Sequence, residues 1–310
     1  MTIRPASALI AFIALVVCVG GVYLSQHRVV RISAHHSQRP IIMLATPQPT
    51  ASFDQTIETE HYTIASTATA ADTRAQAKAV ESLFTAYTSF IAGTPERDKH
   101  LAKLKLVLYR NRQEFRAHST ASPWAEAYYS APVCYAYVDA GQPNPYHWMI
   151  HEGTHQLNDQ VAHFRIAKWA NEGLASYFGT SRIDAQGLHP GVIDVHTYPI
   201  WWLSSLSLSG NLQRDIDDGK LIALRAIVSG NGGPAVDTHV NLYYIEYWSL
   251  SHFLFHYRNG QYAGRYRKLI DEGGSLQGFE RIVGPMDRIQ GEWYGYLQQE
   301  IAEVGNKRAE

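Results

Sequence analysis

Residues 151–155 read His-Glu-Gly-Thr-His. The pattern constrains the local fold sharply, because two histidines four apart share a face only if the segment is helical. On a helix both imidazoles can reach one metal ion, and the glutamate beside the first histidine can hold a water. The chain has 15 His, and random placement at this composition yields such a pattern in roughly 3–4% of chains of this length. Trp148, Met149, Ile150 and Leu157 give the helix an apolar side, which predicts burial. A buried His-Glu-His cluster without a metal carries a heavy desolvation cost. His151 and His155 are therefore candidate metal ligands, with Glu152 beside them.

A catalytic metal site of this kind needs three protein ligands and one open position. Sixteen residues after His155 begins Asn171-Glu172-Gly173-Leu174-Ala175, within Lys-Trp-Ala-Asn-Glu-Gly-Leu-Ala-Ser-Tyr-Phe. This reads as a second helix carrying a carboxylate at its start, and Glu172 is the candidate third ligand. His147 precedes His155 by eight residues, about 12 Å along a helix, too far to share an ion whose bonds are about 2 Å. It reads as a helix-start or surface residue. His163, after a break following Asn158-Asp159, is a weaker alternative ligand.

The pattern around these motifs predicts an α+β chain. Residues 56–64 read as a strand, and Asp72 can cap a helix running through Val80, Leu83, Phe84 and Tyr87 to Ile91. Lys103–Tyr109 and Val133–Asp139 read as further strands, with a short helix near 111–118 between them. The strand at 133–139 could lie at a sheet edge and pair with an extended peptide. From Pro145 onward the chain reads as mainly helical, with loops around 181–197, 209–219 and 230–238. Strands first and helices later favour α+β over alternating βαβ units.

Composition removes several function classes. Lys plus Arg total 27 against 28 for Asp plus Glu, so the chain lacks the basic excess of a general nucleic-acid binder. Its two cysteines, Cys18 and Cys134, exclude a disulfide scaffold and a cysteine-rich zinc site. Cys18 lies in an apolar N-terminal segment, so no disulfide partner is expected, and Cys134 reads as a small core residue.

That N-terminal segment runs from Ala6 to Leu24 without a charge. At 1.5 Å per residue it would span about 28 Å, close to the hydrocarbon thickness of a bilayer. Residues 1–25 are expected to be a membrane anchor or signal segment. Residues 26–52, with Pro40, Pro47 and Pro49 and no sustained period, read as a linker. The folded domain is expected over 53–302, with 303–310 a tail. The domain would then lie outside the cytoplasm in the cell envelope, anchored through its N-terminal segment, or secreted if that segment is cleaved.

Together, His-Glu-Gly-Thr-His and the downstream Trp-x-Asn-Glu-Gly-Leu-Ala resemble the gluzincin metallopeptidases, and most closely a bacterial branch whose members mostly lack assigned substrates. The similarity extends diffusely over about residues 53–302, through Tyr62-Thr-Ile, Lys103–Tyr109, Phe115, Tyr244–Leu254, Phe279–Gly284 and Glu292–Leu297. It implies a zincin-like fold: a small N-terminal mixed sheet with helices, an active-site helix and a mainly helical C-terminal part. It further implies Zn2+ held by His151, His155 and Glu172, Glu152 as general base, and hydrolysis of a peptide or protein substrate. An oxyanion donor would be needed; Tyr244 is the candidate, with Tyr243, Tyr247 and His239 behind it. Ser176 departs from the resemblance, since an acidic partner of the site often stands four residues after the glutamate ligand. The alternative function is a non-catalytic zinc-binding envelope protein that binds a partner through the same domain. Glu152 argues against it, because a binding module has no need for a general base.

Overall fold

A computed structural model describes residues 52–92, 102–122 and 124–309. The expected anchor and nearly all of the expected linker lie outside the described residues. Among the described residues no helix is long and apolar enough to cross a membrane.

The architecture is α+β. Five strands form one mixed sheet: β1 (Gln55–Glu58), β2 (Tyr62–Ser66), β3 (Leu104–Tyr109), β4 (Tyr128–Ser130) and β5 (Val133–Tyr137), in the spatial order β1-β2-β3-β5-β4. The β2–β3 and β3–β5 pairs are parallel and the two outer pairs antiparallel. Residues 56–64 thus do not form a single strand. The Thr59 N–H donates to the Tyr62 carbonyl at 2.9 Å, which closes a turn between β1 and β2. The strand at 133–137 is internal rather than an edge, because β4 pairs along its outer side. On that side the edge strand is β4.

Alternation sets the two faces of the sheet. Ile64, Leu106, Leu108, Cys134 and Ala136 point into the main core. That face is covered by α1 (Ala70–Tyr87) and α3 (His147–Gln160). On the other face Tyr109, Phe115 and Tyr137 form a small separate cluster, with Phe115 supplied by α2 (Arg112–His118). The N-cap of α1 is Thr69, whose hydroxyl accepts the Asp72 N–H at 3.1 Å and donates to the Asp72 carboxylate at 2.6 Å. Asp72 therefore acts from the first turn of the helix rather than as the cap itself.

Helix α4 (Lys168–Gly179) packs against α3, and α8 (Val240–Gly260) packs against α4. Between α4 and α8 lie α5 (Ile200–Leu203), α6 (Leu212–Asp217) and α7 (Leu224–Ser229). The region 181–193 is not loop. It forms a hairpin of β6 (Ser181–Asp184) and β7 (Gly187–Ile193), turning at Ala185-Gln186 and entering β7 at Gly187 with a positive φ of 123°. Pro190 and Gly191 within β7 hide the strand pattern, although both are tolerated in a two-stranded ribbon with open edges. The chain ends with α9 (Ala263–Asp271), α10 (Leu276–Ile282) and α11 (Met286–Ala309). α11 continues through the residues expected to form a tail, and Val304 on it is fully buried.

Candidate metal centre

The helix expected from the His-Glu-Gly-Thr-His spacing is α3. Met149, Ile150 and Leu157 bury its apolar side almost completely. Gly153 lets the helix approach α1 closely, since a Cβ there would sit 2.9 Å from Leu83 Cδ2. Helix α4 meets α8 at Gly173, where a Cβ would stand 2.8 Å from the Tyr247 carbonyl oxygen and 2.2 Å from Ser251 Oγ. A residue larger than glycine would push these helices apart. The close crossing carries Glu172, the residue before Gly173, and Tyr244, about one turn before Tyr247 on α8, to one cleft.

The three candidate ligand residues converge. Glu172 Oε2 lies 3.5 Å from His151 Nε2 and 3.6 Å from His155 Nε2. One ligand atom from each residue falls within 4.8 Å of the other two. A tetrahedral ion with bonds of about 2.0–2.1 Å separates its ligand atoms by about 3.3 Å, so the trio fits such an ion. Glu172 Oε2 is buried and accepts no hydrogen bond, which leaves a lone pair open to a cation.

The opposite charges of the trio act strongly on one another. Burial alone would raise the Glu172 pKa, but the His151 and His155 imidazoles hold the carboxyl far below the usual carboxylate range. Burial likewise opposes charge on His155, yet Glu172, then Glu152 and the Asn171 side chain, lift its pKa to about 9. Behind His155 runs a chain of amides. Asn158 Nδ2 donates to Asn171 Oδ1 at 2.9 Å, and the Tyr87 hydroxyl donates to Asn158 Oδ1 at 2.7 Å. Asn158 and Tyr87 carried no motif, and Asn171 stood within one without a role of its own. Ser176 is buried and its hydroxyl has no hydrogen-bond partner.

Glu152 stands beside the trio and is oriented from the sheet: its Oε2 accepts the Tyr129 main-chain N–H at 2.9 Å. Tyr129 in turn donates its hydroxyl to Asp159 at 2.7 Å. Tyr244 also reaches the site, its ring 6.1 Å from the His151 ring and 5.5 Å from that of Tyr198. Burial, followed by the negative charges of Glu172 and Glu152, pushes its hydroxyl pKa far above the usual range, so it stays protonated.

The other candidates stand elsewhere. Tyr243 donates to the Pro234 carbonyl, Tyr247 is buried behind Tyr244, and His239 is exposed against Thr238. His147 starts α3 but is buried rather than on the surface, with Nδ1 donating to the Asn144 carbonyl at 2.8 Å. His163 is exposed and donates to the Asp159 carbonyl.

His151, Glu152, His155, Glu172 and Tyr244 open onto a cleft of about 1,090 Å³. One wall is the β4 edge with Trp124; the other is aromatic, from Trp148, Tyr198 and Trp201. Residues 147–272 match a family described as a protein of unknown function (DUF1570). The matched segment runs from the first residue of α3 to just past α9 and contains His151, Glu152, His155, Glu172 and Tyr244. No curated protein matches the chain.

Proposed function

We propose that this chain is a zinc-dependent metallopeptidase of the gluzincin type with a zincin-like fold. The observation that carries the reading is the convergence of His151, His155 and Glu172 on one point, with Glu152 beside them. The donor set suits Zn2+, which takes imidazole nitrogen and carboxylate oxygen at about 2 Å. Such an ion, when bound, supplies Lewis acidity that lowers the pKa of water and polarises a carbonyl.

The chain's own residues would do the rest. Glu152, with Oε2 tethered by the Tyr129 N–H, keeps Oε1 to take the proton of the attacking water and return it to the leaving amine. Tyr244 would donate its hydroxyl proton as a hydrogen bond to the carbonyl oxygen as that atom gains charge. Its raised pKa keeps the proton in place for that task. The buried ligands reduce competition from bulk water and strengthen each electrostatic contact. An extended peptide would lie in the cleft alongside β4, which pairs with no further strand among the described residues, without drawing on the Tyr129 N–H that Glu152 already holds. The site's place in the cell envelope, through the uncharged N-terminal run, belongs to the same proposal.

Metal analysis of the purified protein, combined with digestion of a broad peptide library, tests the reading. It expects about one zinc per chain and cleavage that a chelator abolishes. Stoichiometric zinc with no cleavage of any peptide, and partner binding indifferent to Glu152→Gln, would favour the non-catalytic alternative.

A further inference from the structure

The aromatic wall of the cleft is carried largely by one segment, residues 195–204, which contains no Asp, Glu, Lys or Arg. Its rings are mutually packed. Tyr198 stacks on Trp148 with centroids 5.3 Å apart, and Trp201 approaches both Tyr198 at 5.8 Å and Trp148 at 6.1 Å. Tyr198 also touches Tyr244 and sets its hydroxyl on Asn241 Oδ1 at 3.2 Å. The wall therefore adjoins the metal centre through Tyr244 and His151.

Two ends of the segment are held differently. At its start, Asp194 accepts from Asn144 Nδ2 at 2.9 Å and from the His196 N–H at 3.0 Å. In its second half Ile200 and Leu203 are fully buried. Besides the Tyr198 hydroxyl on Asn241, the main chain of the turn between them is held by Arg308 in the last turn of α11. Arg308 Nη2 donates to the Val195 and Ile200 carbonyls, both at 3.1 Å. Its Nη1 donates to the Trp201 carbonyl at 3.3 Å and to Ser204 Oγ at 3.0 Å. One planar guanidinium thus ties both ends of the Tyr198 turn together, a geometry that an ammonium cannot copy. The helix presenting Arg308 is itself fixed by Trp293, Leu297 and Val304, all fully buried.

We propose that Arg308 latches the 195–204 segment and so holds Tyr198 and Trp201 as a recognition wall for a large apolar or aromatic side chain of the substrate. Arg308 is then a positioning residue at the far C-terminal end of the described chain, acting on affinity and not on bond breaking. The chemistry of the wall names the occupant: ring faces and no formal charge favour an aromatic side chain, through stacking and apolar burial. The carboxylates on the opposite wall are neutralised locally, Glu126 by Arg112 and Arg116, and Asp159 by Arg165. The recognition half of this inference rests on the metallopeptidase reading; the latch does not.

The test uses the full chain with Arg308→Ala, Arg308→Lys and Trp201→Ala. Amide hydrogen exchange over 195–204 is expected to rise at least about fivefold in Arg308→Ala, with α3 unchanged, because several charge-assisted hydrogen bonds are lost. Peptide affinity is read as Kd from tryptophan emission in proteins also carrying Glu152→Gln, which bind without turnover. A peptide with Phe should bind the parent about tenfold more tightly than its Ala counterpart, and Arg308→Ala and Trp201→Ala should each remove most of that preference. Arg308→Lys should restore only part of it. In proteins with Glu152 intact, kcat of Arg308→Ala should stay within about twofold. Unchanged exchange in Arg308→Ala overturns the latch, whether or not any peptide is cut. Increased exchange with an undiminished Phe preference, or no such preference in the parent, overturns the recognition wall. Absence of hydrolysis by the otherwise wild-type protein counts against the metallopeptidase reading alone.

Discussion

Glu152 Oε2 accepts the main-chain N–H of Tyr129 at 2.9 Å, so a residue of the central helix α3 is tethered to the edge strand β4. The bond fixes the carboxylate beside the metal trio without making it a ligand. It also spends the outward N–H of the strand that borders the cleft.

Replacing Glu152 by Gln removes the proton acceptor while keeping size and the acceptor oxygen for Tyr129. Zinc should remain at about one ion per chain, and kcat should fall by about 10²–10⁴, the usual contribution of a general base. Turnover within tenfold of wild type would mean that another group takes the proton.

Glu172 has the opposite role. Glu172→Ala removes the one anionic member of the trio, whose Oε2 lies 3.5 Å from His151 Nε2 and 3.6 Å from His155 Nε2. Zinc content after dialysis should drop well below stoichiometric, and hydrolysis should go with it. Full zinc retention in this variant would assign the third ligand to another residue.

Tyr244→Phe keeps the ring against His151 and Tyr198 and deletes only the hydroxyl. We expect kcat to fall by about 10²–10³, as for loss of one oxyanion donor, with metal content and Tm nearly unchanged. Unaltered turnover would return Tyr244 to a packing role.

A buried cluster far along α8 should give the protein an unusual pH response. His252 donates Nε2–H to the Gly191 carbonyl at 3.0 Å, accepts from the Tyr296 hydroxyl at 2.7 Å, and lies 3.6 Å from Glu300. Burial lifts the Glu300 pKa to about 7, helped by Glu303 and opposed by Tyr296 and Lys307. Burial lowers His252 to about 3, with the adjacent His256 adding to the shift. The folded protein keeps the Glu300 proton after the unfolded chain has released its own. That stabilisation is complete below the ordinary carboxylate range and is lost as pH rises through about 7. His252 works in the other direction: the unfolded chain binds its proton first, so stability falls as pH drops below the ordinary imidazole range towards about 3. Glu300→Gln should remove the first effect. Its Tm relative to wild type should therefore improve from pH 5 to pH 8, by up to an amount on the order of 3 kcal/mol in stability. A constant difference between the two proteins across that range would contradict a proton held by Glu300.

The parts of the site legible in the sequence are those written in local geometry. The four-residue interval of His151 and His155, and the apolar Met149, Ile150 and Leu157 beside them, require only the helical repeat, and α3 follows them closely. The α+β order was likewise readable from alternating strands ahead of helical segments. Short or composite elements were not. β4 has three residues, too few for a period to register, and β7 carries Pro190 and Gly191, which look like turn signals. Residues 56–64 carry one strand-like composition over two strands, because the reversal at Thr59 is a hydrogen-bonding event that composition does not encode.

By itself, the sequence determined the two helices that bear His151, His155 and Glu172, since a repeat of 3.6 residues is a property of the nearest neighbours along the chain. Only the tertiary structure decided that Tyr244 would stand over His151, that Tyr129 would hold Glu152, that Asn171 and Asn158 would back His155, and that Arg308 would tie the turn of Tyr198. Each of these contacts depends on where separate elements cross, above all where Gly173 lets α4 settle on α8. Such crossings are set by close packing of whole side-chain surfaces, to which distant residues contribute together and which no short spacing records.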